Sequence, residues 1–152
     1  MSHPLLADAA FHHVGVVVAD LDAAAASYRA LGFAELDRFA VPAQGIEAIV
    51  FRLGDGYIEL ISPTDPDGAI GRFMAKRGPG MHHAAYRVDD VDGTLAALAD
   101  QGVELIDNVG RPGGHGWRVA FLHPRAGAGV LTELVEVVDA RAEGGHGNDT
   151  EG

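Results

Sequence analysis

The sequence predicts an α+β fold built from two tandem βαβββ modules. Two observations carry that prediction. The chain repeats itself at a constant offset, and each half runs in the same order of strand, helix and hairpin. When Phe11–Phe33 is set beside Met81–Val103, His13 falls on His83, Gly15 on Ala85 and Val18 on Val88. Asp20 falls on Asp90, Asp22 on Asp92 and Gly32 on Gly102, every pair 70 positions apart. Single matches of Ala or Asp carry little weight, but one offset held through a strand–helix unit indicates duplication.

The elements follow in order. Phe11–Val18 is β-rich and reads as a strand. Asp20 is placed to cap the helix after it. Leu21, Ala24, Ala25, Tyr28 and Leu31 then recur at helical spacing until Gly32 ends the helix. Gly45–Leu53, the turn Gly54-Asp55-Gly56 and Tyr57–Ser62 read as a hairpin. In the second half Asp90 and Gly102 bracket the helix. Trp117–His123 and Val130–Val137 form the matching hairpin, with a longer loop. The expected organisation is therefore an N-terminal extension over 1–10, a first module over 11–62 and a linker over 63–80 carrying a short helix at Ala69–Lys76. A second module over 81–139 and a disordered tail over 140–152 complete it.

Composition narrows the function. The chain has 152 residues, 47% hydrophobic and 22% charged, enough for one packed domain. Its net charge of −11 argues against a nucleic-acid partner, which needs basic surface, and against an anionic membrane. A local patch drawn from Arg72, Lys76, Arg77, Arg111, Arg118 and Arg125 could still hold an anionic small molecule. There is no cysteine, so a metal would need His, Asp, Glu or Gln ligands. No apolar run reaches membrane-spanning length and no signal-peptide pattern is read, so a cytoplasmic location is expected.

Strand periodicity selects the functional residues. Side chains alternate faces, so His13 and Gly15 share one face and His83 and Ala85 share its counterpart. By the same alternation His12 and His82 are expected on the opposite face. Glu59 and Glu133 each lie inside an apolar strand, Tyr-Ile-Glu-Leu-Ile and Val-Leu-Thr-Glu-Leu-Val. A buried lone carboxylate is costly. Two His and two Glu at repeat-equivalent positions suggest a shared divalent cation. Taken alone, these residues leave open the other reading, of hydrogen-bonded core histidines and glutamates at a sheet edge.

The residues that carry the repeat also carry a resemblance. His13-Val-Gly-Val-Val-Val-Ala-Asp-Leu, Gln44-Gly-Ile, Tyr57-Ile-Glu-Leu-Ile-Ser-Pro and Gly80-Met-His-His-Ala-Ala-Tyr resemble the vicinal oxygen chelate superfamily. With Phe121-Leu-His-Pro and Gly129-Val-Leu-Thr-Glu-Leu-Val added, the set is most similar to methylmalonyl-CoA epimerases, from about Phe11 to Val137. The resemblance implies a curved mixed sheet forming a cleft. It implies His13, Glu59, His83 and Glu133 as ligands of cobalt, nickel, manganese, iron or zinc. It implies 1,1-proton transfer at the α-carbon of a malonyl thioester through a metal-stabilised enolate, with Glu133 as one acid/base group, and an acyl-CoA substrate bound by a homodimer.

Some family members carry a Glu four residues after the Gln of Gln-Gly; here that position is Ala48. Glu47 is the neighbouring alternative for a catalytic role, although a one-residue step reverses the face. His12 likewise replaces the acidic residue common before the family's first ligand. Gln44, Lys76 and Arg118 are expected to contact substrate, the last two by charge alone. Competing readings are a glyoxalase-like isomerase or lyase on another substrate, and a non-catalytic, resistance-type binding protein.

Overall fold

The computed structural model describes residues 5–138. The expected tail, and His146 within it, lie outside the described residues. Eight strands and three α-helices follow in the order β1 (Ala10–Val17), α1 (Leu21–Ala30), β2 (Glu35–Val41), β3 (Ile46–Leu53), β4 (Gly56–Pro63) and α2 (Ala69–Arg77). Then come β5 (Gly80–Arg87), α3 (Val91–Asp100), β6 (Arg111–Pro112), β7 (Trp117–Leu122) and β8 (Leu131–Val137).

Local chemistry sets the helix ends. The Ala23 amide donates to the Asp20 carboxylate at 3.0 Å, and the Gly93 amide donates to Asp90 at 3.1 Å. Both acidic caps satisfy an orphan N–H at a helix start. The chain leaves α1 and α3 through Gly32 (φ 97°) and Gly102 (φ 81°), a backbone conformation that disfavours other residues.

All eight strands form one mixed sheet in the order β2-β3-β4-β1-β5-β8-β7-β6. The duplication is visible in that order, because 2-3-4-1 is mirrored by 6-7-8-5 across the antiparallel β1–β5 junction. Within each half the pairing is parallel where the repeat demands it: Gly15 lies opposite Glu59, and Ala85 opposite Glu133. The sheet is curled. His115, in the loop before β7, contacts Asp37 of β2 at 2.6 Å, although β2 and β6 are opposite edges of the sheet.

α1 and α3 each cover the outer face of their own half. α1 packs Leu21 and Ala25 over Ile49, Phe51, Ile58 and Leu60. α3 packs Val91, Leu95 and Leu98 over Ala120, Leu122 and Leu134. Burial of these apolar side chains, about 1.5–3 kcal/mol for each large one, supplies most of the stability and frees the inner face for other work. The inner face is itself partly filled. Val50, Tyr57, Ala85, Trp117, Val119 and Val135 cluster at one end, and Val17, Ile46, Ile61 and Ile70 at the other. The polar ligand-type residues lie between.

Candidate metal centre

β1, β4, β5 and β8 are the four central strands, and each contributes one residue. His13, Glu59, His83 and Glu133 are 0%, 7%, 3% and 6% exposed. The antiparallel β1–β5 register places His13 opposite Ala85, and Gly15 opposite His83. The small partner matters at Gly15. A Cβ there would lie 2.1 Å from Cε1 of His83, so only glycine leaves room for that ring.

The functional atoms converge. Nε2 of His13 is 2.9 Å from Nε2 of His83 and 3.3 Å from Oε1 of Glu133. Nε2 of His83 is 3.6 Å from Oε2 of Glu133, and Oε2 of Glu59 is 3.6 Å from Nε2 of His13. Ligand atoms of His13, His83 and Glu133 all lie within 4.8 Å of one another.

Burial, first of all, pushes the imidazoles down: His13 well below its ordinary value and His83 to about 3. They are neutral, as metal-binding imidazole must be. Burial pushes both carboxyls up, Glu59 to about 7 and Glu133 well above its ordinary value, where the nearby Glu59 charge adds to the effect. Two buried carboxylates facing two neutral imidazoles are a costly arrangement that a cation would relieve. The spacings suit one. Ligands about 2.1 Å from a common metal stand about 3 Å apart when roughly at right angles. The residues therefore fit a divalent ion.

The leading histidines do not lie where strict alternation puts them. Phe11 pairs with Tyr86 and His13 with Ala85, so His12 is an extra residue in β1. Gly15 pairs with His83 and Val16 with Met81, so His82 is an extra residue in β5. Each bulge turns its residue toward the inner face. The His12 ring packs against Trp117 at 4.5 Å and Tyr57 at 5.2 Å. The His82 ring meets Phe73 at 4.9 Å. The signal that could have found them is the His-His doublet at equivalent places in both modules.

The remaining expected residues divide. Lys76, with Arg72, Arg77, Phe73, His82 and His83, lines a cleft of about 560 Å³. Gln44 lines an adjoining cavity of about 340 Å³ with His82, Arg111, Phe121 and Leu131. Glu47 is not brought to the centre. It pairs with Ser62, one step out of phase with the Val50–Glu59 pair, and reaches Arg38 at 3.7 Å. Ala48 faces inward, fully buried, and offers only a methyl group. Arg118 also turns away, because its neighbours Trp117 and Val119 face inward. It donates to Asp92 at 2.7 Å, which in turn accepts from the Gly110 amide. An arginine picked by charge alone is here an outer-face ion pair.

Comparison with known proteins places this geometry. The family described as the glyoxalase/bleomycin resistance protein/dioxygenase superfamily matches residues 12–121. The chain belongs to that superfamily. It is 38% identical to the Bacillus subtilis protein YqjC over 82% of this chain and 89% of that one. It is 36% identical to the ethylmalonyl-CoA/methylmalonyl-CoA epimerase of Cereibacter sphaeroides, over 83% of this chain and 96% of that one. Among solved structures, a methylmalonyl-CoA epimerase in complex with methylmalonyl-CoA and NH4+ matches with a TM-score of 0.82. It has 36% identity and covers 86% of this chain and 95% of that chain. The expected fold and the expected likeness to methylmalonyl-CoA epimerases both hold. Among the described residues no helix is long and apolar enough to cross a membrane.

Proposed function

We propose that this protein is a metal-dependent epimerase that inverts the α-carbon of methylmalonyl-CoA by 1,1-proton transfer. The observation that carries the reading is the buried convergence of His13, His83 and Glu133 beside a cleft lined by basic side chains. The likeness to epimerases supports the choice of substrate.

The substrate helps. Its α-hydrogen stands between a thioester carbonyl and a carboxylate and is already acidified. His13, His83, Glu59 and Glu133 would hold the ion. When bound, it supplies Lewis-acid stabilisation of the charge that develops on the substrate's carbonyl oxygens. Glu133 carries the proton on one face. Its carboxyl lies in a dry site that raises its affinity for a proton, as a group alternating between base and acid requires. Tyr57, Trp117 and Val119 shut one end of the inner face and exclude water from it. Arg72 and Lys76 line the open cleft and would meet the CoA phosphates; Gln44, in the adjoining cavity, would orient the acyl end. A homodimer in a cytoplasmic setting goes with this reading.

The test is exchange of solvent deuterium into methylmalonyl-CoA, followed by NMR, with and without added cobalt. Metal-dependent exchange with stereochemical inversion is expected. Glu133→Gln is expected to slow it by about 10²–10⁴-fold. A metal-loaded, folded protein that exchanges nothing would move the substrate elsewhere in the superfamily, with glutathione hemithioacetals the next to try. A protein that binds no divalent metal would instead favour a resistance-type binder.

A further inference from the structure

Each ligand-type histidine is preceded by another histidine, and in both modules the two rings meet through the same atoms. His12 Nδ1 lies 2.7 Å from His13 Nδ1, and His82 Nδ1 lies 2.8 Å from His83 Nδ1. Adjacent residues of a regular strand point to opposite faces and cannot make such a contact. The two bulges that add His12 and His82 to their strands make it possible twice.

We propose that His12 and His82 are positioning residues: each accepts, through its own Nδ1, the Nδ1 hydrogen of the histidine that follows, leaving that histidine's Nε2 lone pair bare for the metal. The inference rests on the metal reading above and deepens it.

The argument is one of hydrogen counting. A neutral imidazole carries one N–H, on Nδ1 or on Nε2. The Nε2 atoms of His13 and His83 face each other at 2.9 Å and face Glu133. With the hydrogen on Nε2, neither nitrogen could ligate an ion. The Nδ1–Nδ1 contact of 2.7–2.8 Å accommodates a single hydrogen, so a following histidine that keeps its Nε2 bare for the metal donates from Nδ1 and the leading histidine accepts. The ring is thereby fixed in rotation as well as in tautomer.

The surroundings of the two pairs differ. His12 is enclosed by Tyr57 and Trp117, whereas His82 lies against Phe73 at the cleft. One contact arising in two unlike settings is not explained by either packing. The acceptor is also neutral. It orders the ligand without adding to the negative charge of Glu59 and Glu133, so the ion's pull on substrate oxygens is not reduced further.

The experiment measures cobalt affinity by competition with a chromophoric chelator, together with the visible spectrum of bound cobalt. His12→Phe and His82→Phe keep a planar ring and remove the acceptor. Each is expected to weaken binding about 10–100-fold and to perturb the cobalt spectrum. His12→Asn and His82→Asn place an amide oxygen where Nδ1 was and are expected to restore most of the affinity. Phe variants that bind cobalt as the parent does, or Asn variants as weak as the Phe ones, would overturn the proposal. The half-buried His82 pair decides the matter if His12→Phe does not fold. A parent protein that binds no cobalt would overturn the metal reading itself and this proposal with it, an outcome distinct from equal binding by parent and variants.

Discussion

The two ends of the inner face are built from duplicated strands, yet one is closed and the other open. At the closed end Trp117 stacks on His13 with ring centroids 5.4 Å apart, and Tyr57 and His12 fill the space beside it. Asp37 and His115 join opposite edges of the sheet above them. At the open end His82 and His83 border a cleft whose basic wall comes from α2. That helix belongs to the segment between the modules, which the repeat does not contain. Duplication thus places equivalent histidines and glutamates, while the unrepeated helix α2 supplies the wall of the open cleft beside His82 and His83.

The sharpest way to break this comparison is at the position two residues after each inner-face histidine, Gly15 against Ala85. A methyl group is tolerated opposite His13. Opposite His83 it would overlap the ring, with its nearest atoms the imidazole Cε1, Nδ1 and Nε2. Gly15→Ala is expected to displace His83 and lower metal affinity by at least about tenfold, with activity falling in step. Metal content after dialysis checks it. Retention of a full equivalent would show that the ring has room and that the halves are more alike than the structure indicates.

A second comparison concerns stability. Trp117 is 3% exposed and touches the rings of His12, His13, Tyr57 and His115. Among the described residues its Nε1 has no hydrogen-bond partner, so its contribution is packing. Trp117→Ala is expected to cost about 3–5 kcal/mol in urea unfolding. Phe73→Ala, on the half-buried open side, is expected to cost less than half of that. Equal losses would mean that α2 is as much a part of the core as the closed end.

These contrasts also explain what could be read from the chain alone. The repeat, the acidic caps Asp20 and Asp90 and the stops Gly32 and Gly102 were legible because each has a local physical cause. His13, Glu59, His83 and Glu133 could be assigned to one inner face because strand alternation holds where β1 meets β4 and β5 meets β8. It fails at His12 and His82, where a bulge depends on the register with the partner strand. β2 was not placed either. Its Glu-Leu-Asp-Arg-Phe-Ala-Val segment is at the sheet edge, mostly half-buried or exposed, and β6 is only two residues long. Charge alone could not separate Lys76, which lines the cleft, from Arg118, whose guanidinium is taken by Asp92 on the far side.

The smallest effects test that last distinction. Lys76 belongs to the open cleft, so Lys76→Ala is expected to raise KM for the CoA ester several-fold with kcat nearly unchanged. This is the pattern of a group that binds ground state and transition state alike. Glu47 is one residue from the inward-facing Ala48, but it sits on the other face beside Arg38. Its loss removes a partly exposed ion pair worth about 0–1 kcal/mol and no reacting group. Glu47→Ala should therefore leave both kcat and KM within about twofold of the parent. A loss of several hundred-fold would mean that β3 shifts register when substrate binds and carries Glu47 inward. The inner and outer faces of the sheet would then be interchangeable at that position.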